Sequence, residues 1–238
     1  MQTYRRLVLV AMVLAPMLLV YAQQLEAKQR GGNYISNGSV NLAAVLSPPP
    51  ARGSAAETAE LQALLAAQEA RTSSGIAQAQ RDRKRSLDLF AEAIGGGFRR
   101  SQYPLVDALF DNAIDDARGI LSANKQNWQR ERPFRLEKRL TTCLKEPESS
   151  SYPSSHATSG YLITAMLSDM LPERVGQLAA RGDEYAMGRV VCAVHYPSDI
   201  RAGQLAARAI LARLKADTRF RDDFAKARLQ LRAGLGFR

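Results

Sequence analysis

From Ala55 onward the apolar residues of this 238-residue chain return every third or fourth position, and no stretch alternates convincingly. Leu61, Leu64 and Leu65 stand at i, i+3 and i+4, which places them on one face of a helix. Leu87, Phe90 and Ile94 mark a second helical stretch, broken by Gly95-Gly96-Gly97. A third carries Leu105, Leu109, Ile114, Ile120 and Leu121 and is expected to end near Pro133. Further helices are expected at about 155–170, 172–187, 197–214 and 217–231. The expected fold class is therefore all-α. Residues 55–238 would form a single compact helical domain with a helical-bundle core, and roughly 180 residues suffice for one core.

The first 54 residues read differently. Arg5 and Arg6, the apolar run Leu7 to Val20 and the small-residue site Val20-Tyr21-Ala22 make residues 1–22 a secretory signal peptide. Its apolar run is about fourteen residues and holds Pro16, short of the roughly 20 a membrane span needs. An uncleaved N-terminal anchor is the alternative. Residues 23–54 are polar and Gly-rich and contain Pro48-Pro49-Pro50, which suits an extended, proline-containing arm. No later stretch is long and apolar enough to span a bilayer, so no stable membrane insertion is expected after signal removal.

Loss of the signal removes two Arg and no acid, taking the formal charge from +10 to +8. The basic residues are spread from Lys28 to Arg238, with no nucleic-acid-binding motif, so no nucleic-acid partner is expected. Diffuse positive charge favours anionic substrates mildly. Cys143 and Cys192 are the only cysteines, and in an exported chain an even pair suggests one disulfide. Two buried free thiols are the plainer alternative.

The chemistry concentrates in three clusters. Lys125-x6-Arg132-Pro133 brings two cations, which would share a face if the segment were helical, although alone such a pair is commonly a solvated basic surface. Tyr152-Pro153-Ser154-Ser155-His156 offers Ser154 as an N-cap. The helix N-terminus behind it would bind an anion, with His156 in reach as an acid. The alternative there is an ordinary capped helix. In Arg189-x5-His195-x3-Asp199 the carboxylate could fix the imidazole tautomer and leave the other nitrogen as nucleophile. A buried structural His–Asp hydrogen bond is the alternative for that pair. Arg189 is off-register with His195, so a helix break between them is required. The chain's only two histidines thus both lie in these clusters.

Together, Lys125-x6-Arg132-Pro133, Pro153-Ser154-Ser155-His156 and Gly188-Arg189-x5-His195-x3-Asp199 resemble the type 2 phosphatidic-acid phosphatase superfamily, in order and in spacing. The likeness extends over about residues 42–230 to the exported bacterial class A non-specific acid phosphatases. The resemblance implies a catalytic set of His195 as nucleophile, Asp199 orienting it, and His156 as acid and then base. It implies a phosphate clamp of Lys125, Arg132, Arg189, Ser154 and the N–H of Ser155. No metal and no cofactor are implied. The family's PSGH glycine is Ser155 here, and its serine before the arginine is Gly188. A positive φ required at Ser155 would cost on the order of 1–2 kcal/mol, and Gly188 could loosen Arg189.

The expected function is a periplasmic or secreted, metal-independent acid phosphatase acting on small soluble phosphomonoesters through a phosphohistidine. The alternatives are vanadate-dependent haloperoxidase-like activity, lipid phosphate phosphatase activity, or a degenerate phosphate-binding protein. A homo-oligomer is left open, with the arm as a segment that could pack on a neighbour.

Overall fold

The helical spacing becomes nine α-helices in the computed structural model, which describes residues 32–237; among these there is no strand. The signal-peptide reading and the first part of the arm lie outside the described residues. The helices are α1 (Ala55–Ala70), α2 (Ser73–Arg81), α3 (Ala91–Ile94), α4 (Pro104–Asn124), α5 (Pro133–Leu136), α6 (Ser155–Met170), α7 (Val175–Val191), α8 (Pro197–Ala216) and α9 (Thr218–Gly234). Their starts follow from the sequence. Ser54, Thr72, Ser154 and Asp217 accept a backbone N–H of the first turn, and Pro104, Pro133 and Pro197 stand at first helical positions. The domain is single, compact and all-α, as expected from the periodicity.

Helix α6 is the centre, packed along both α7 and α8, while α4 pairs with α9 and closes over it. Leu162, Ile163, Met166, Leu167 and Met170 are all fully buried. Each such side chain contributes about 1.5–3 kcal/mol by leaving water. A smaller cluster of Leu64, Phe134, Ala186, Val190, Tyr196 and Ile200 lies between α1, α7 and the start of α8. It forms an apolar support beneath the residues of the site.

Three features differ from or refine the sequence expectation. Helix α2 was not anticipated, because its buried face is small: Ala79 is its one fully buried residue. Helix α4 stops at Asn124 instead of near Pro133. There the Asn124 side chain donates to the carbonyls of Ile120 (2.9 Å) and Val40 (3.2 Å) and accepts from the Leu42 N–H (3.0 Å). Lys125 and Arg132 consequently do not share a helical face. Lys125 opens a short 3-10 turn, and Arg132 is the extended N-cap of α5, as the following proline requires.

The arm, in its described part, runs through bends, turns and a 3-10 turn at Leu42–Ala44 and belongs to the core. Tyr34, Ile35, Val40, Leu42 and Leu46 are buried. The Asp116 carboxylate of α4 accepts the N–H groups of Asn33 (2.5 Å), Tyr34 (2.8 Å) and Ile35 (3.0 Å). Cys143 and Cys192 form a disulfide with a Cα–Cα separation of 4.8 Å. It ties the loop before α6 to the end of α7.

Candidate active site

The break needed between Arg189 and His195 is present. Helix α7 ends at Val191, and Ala193 turns through a positive φ of 54°. The N–H groups of Val194 (3.0 Å) and His195 (3.3 Å) both donate to the Arg189 carbonyl. This folds His195 back beside the helix end that carries Arg189. Pro197 then starts α8, with Asp199 in its first turn.

His195 Nδ1 lies 3.1 Å from Asp199 Oδ2, and its Nε2 lies 3.0 Å from Arg132 Nη1. A guanidinium only donates, so Nε2 is the acceptor and the proton sits on Nδ1, facing the carboxylate. Burial is the largest influence on this imidazole, and with the charges of Arg132 and Lys125 it outweighs Asp199, lowering the pKa to about 4. Burial alone would push the Asp199 carboxyl up. The His195 ring, Arg130 and the Ser151 hydroxyl overcome that and hold it below its ordinary range.

The second histidine is held from the other side. Tyr185 stacks on His156 with ring centroids 4.1 Å apart. It can lie there because residue 160 of α6 is glycine: a Cβ would sit 2.4 Å from the Tyr185 ring. The Tyr185 hydroxyl donates to the Lys84 carbonyl (2.8 Å), so its oxygen faces His156 Nδ1 (3.4 Å) as an acceptor. That leaves Nε2, which is buried and has no partner among the described residues. Burial, then Arg189 and Arg85, hold the His156 pKa well below its ordinary value.

The three motif cations are held by backbone carbonyls, with Asp199 acting on Lys125 and Arg132 and Asp82 on Arg189. Lys125 Nζ donates to the Ser150 carbonyl (2.7 Å), and burial, with Arg132 and Arg85, lowers it to about 8. Arg132 is buried against the Ser149 carbonyl (2.9 Å) and the Val194 carbonyl (2.7 Å). Arg189 donates to the Ala79 carbonyl (2.8 Å), while its Nε is buried without a partner among the described residues. Burial lowers both guanidiniums to about 10, so all three remain charged at neutral pH. Ser154 Oγ accepts the Ala157 N–H (3.3 Å) and keeps its own proton. The Ser154 N–H donates to the Asp199 carbonyl (3.1 Å), which joins the starts of α6 and α8.

The two departures have structural answers. Ser155 is the first residue of α6 and has no positive φ, so a glycine is not needed there. At Gly188 a Cβ would approach Ala79 Cβ to 3.2 Å. The glycine thus lets α2 lie close enough for the Ala79 carbonyl to hold Arg189, which anchors that side chain.

Sequence reasoning missed Arg130. It is buried, with Nη1 on Asp199 Oδ1 (2.7 Å), Nη2 on Glu60 Oε2 (2.8 Å), and its guanidinium 3.7 Å from the Tyr196 ring centre. Glu60 in turn accepts from the Ser198 N–H (2.6 Å). Ser151 and Tyr185 were also missed. None of these sits at a motif spacing; only the choice of Arg, Glu and Tyr beside the motifs hinted at them. No group of His, Cys, Asp and Glu among the described residues is clustered as a metal site.

The helical bundle thus holds an imidazole paired with a carboxylate, a second imidazole, the buried guanidiniums of Arg132 and Arg189, and the half-buried Lys125. The PAP2 superfamily sequence pattern matches residues 110–222, a stretch that contains every motif residue. The non-specific acid phosphatase of Salmonella typhimurium is 30% identical over 203 residues, covering 81% of each chain. The acid phosphatase of Zymomonas mobilis is 29% identical over 195 residues, 78% of this chain and 74% of its own. That of Providencia stuartii, also a non-specific acid phosphatase, is 30% identical over 144 residues, 58% of each chain. This chain belongs to the acid-phosphatase family of the PAP2 superfamily. It is a hydrolase of the acid-phosphatase type, acting on phosphomonoesters.

Proposed function

We propose that the protein hydrolyses small soluble phosphomonoesters without a metal, through a phosphohistidine on His195. The observation that carries this is the orientation of His195: Nδ1–H faces Asp199 and the Nε2 lone pair faces Arg132, where a phosphate would bind. Nε2 attacks phosphorus, the ester P–O bond breaks, and His156 Nε2–H protonates the departing alkoxide. Water then attacks the phosphohistidine and gives its proton to His156. Inorganic phosphate leaves and His195 is restored. Lys125, Arg132 and Arg189 hold the phosphoryl oxygens, with the Ser154 hydroxyl and Ser155 N–H at the start of α6. These fixed charges supply the stabilisation that a metal would otherwise give. Residues 1–22 and the disulfide support a periplasmic or secreted protein.

Hydrolysis of a chromogenic aryl phosphate in EDTA, over roughly pH 4–9, tests the reading. Turnover should persist in EDTA, be strongest in acid, and fall by at least about a thousandfold in His195→Ala. A folded wild-type protein that binds phosphate without turnover would overturn it in favour of a binding protein.

A further inference from the structure

The sequence Arg81-Asp82-Arg83-Lys84-Arg85 sets four cations around one acid, and the fold removes that acid. Asp82 is buried in an ion pair with Arg181 of α7 and also accepts from Gln78 (3.1 Å). Arg81, Arg83, Lys84 and Arg85 remain exposed, and Lys145 of the disulfide loop joins them. Arg81, Arg83, Lys84 and Lys145 line one open groove of about 980 Å³ that contains no acidic side chain. Among the described residues no carboxylate pairs with Arg83, Lys84, Arg85 or Lys145.

The strip is fixed relative to the reaction centre. The Ala79 carbonyl holds Arg189, Gln80 donates to the Cys143 carbonyl (3.2 Å), and the Lys84 carbonyl holds Tyr185. A single tyrosine therefore separates the strip's backbone from His156. The charge of Arg85 also reaches His156, Arg189 and Lys125, depressing the proton affinity of each. Under the phosphatase reading the leaving-group oxygen lies beside His156, and Arg85, at the end of the strip, is near enough for its charge to act on that ring, so a leaving group reaching beyond His156 enters the field of the strip.

We propose that this groove is a second anion subsite, binding a phosphate group carried on the leaving group of the substrate, so that bisphosphorylated small molecules are preferred over matched monophosphates. The preference rests on the phosphatase reading, since it takes His156 as the acid. Fixed charges a few ångströms from a bound anion act within one Debye length and are screened by salt.

The test uses a hexose monophosphate and the matching hexose bisphosphate, with wild type and Arg83→Gln/Lys145→Gln. Both positions are exposed and unpaired, so the variant should fold. Wild type should show a higher kcat/KM for the bisphosphate, by about fivefold at low salt, shrinking as salt is raised. The variant should lose that advantage and keep its rate on the monophosphate. Equal kcat/KM for the two substrates in wild type, or an equal loss on both in the variant, would overturn the subsite. Calorimetric binding of both sugars to His195→Ala, with and without the two substitutions, decides the matter independently of turnover. Tighter bisphosphate binding that the substitutions abolish supports the subsite, and indistinguishable binding overturns it. Absence of turnover in wild type would strike the phosphatase reading alone.

Discussion

His195 and His156 are both buried, and burial dominates the proton affinity of each. Both rings are therefore neutral in the free protein above their lowered pKa values. Under the proposed mechanism His195 must be neutral to attack, so kcat/KM should rise with pH through about 4. His156 must be protonated to donate, so the rate falls as pH climbs through its own pKa. A bound phosphate dianion offsets the fields of Arg189 and Arg85 and raises that pKa in the complex. The alkaline limb of kcat should consequently lie at higher pH than that of kcat/KM, after allowance for the substrate's second ionisation near about pH 6. Parallel pH profiles of the two parameters check this. Coincident alkaline limbs would show that His156 does not sense the bound phosphate.

Between elements, Arg130 is the junction. It lies in the segment joining α4 to α5 and bonds Glu60 of α1 and both Ser198 and Asp199 of α8. Asp199 is thereby held from three directions, by Arg130, by Ser151 and by the Tyr196 N–H (2.9 Å). Arg130→Ala would strip buried Asp199 of its guanidinium and leave Glu60 with the more distant Arg201 (3.8 Å), a loss of about 3–5 kcal/mol. Denaturant unfolding should show that loss, and the His195 acid limb should shift as Asp199 loses its partner. An unchanged midpoint together with an unchanged pH profile would remove Arg130 from both roles. Its local sequence carries no motif spacing to mark it. A lone arginine two residues before Arg132 reads as surface until α1 and α8 are brought against it.

On the scale of the molecule, the disulfide closes a loop of 49 residues in sequence, containing all of α6 and all of α7. By the chain-entropy relation such a closure is worth about 4 kcal/mol. Cys143→Ser/Cys192→Ser should lower the melting temperature by about 10 °C, and calorimetry checks it. A drop of under about 2 °C would mean that the end of α7 is held by packing alone. The chain by itself determined the helical class, through apolar spacing that only helices can bury. It also marked out the residues proposed to handle phosphate, because motif order and spacing are carried along one backbone. The capped start of α6 and the proline start of α8 were equally legible, being local. What the tertiary structure alone decided depends on segments distant in sequence. Asn124 ends α4 by bonding the arm at Val40 and Leu42, so Lys125 and Arg132 approach the site from a loop rather than from one helical face. Gly188 tightens the hold on Arg189 through Ala79, and Arg81, Arg83 and Lys84 share one groove with the remote Lys145 while Asp82 is buried against Arg181. Hydrogen bonds and ion pairs between remote segments have no periodicity to read, so only the packed fold shows them.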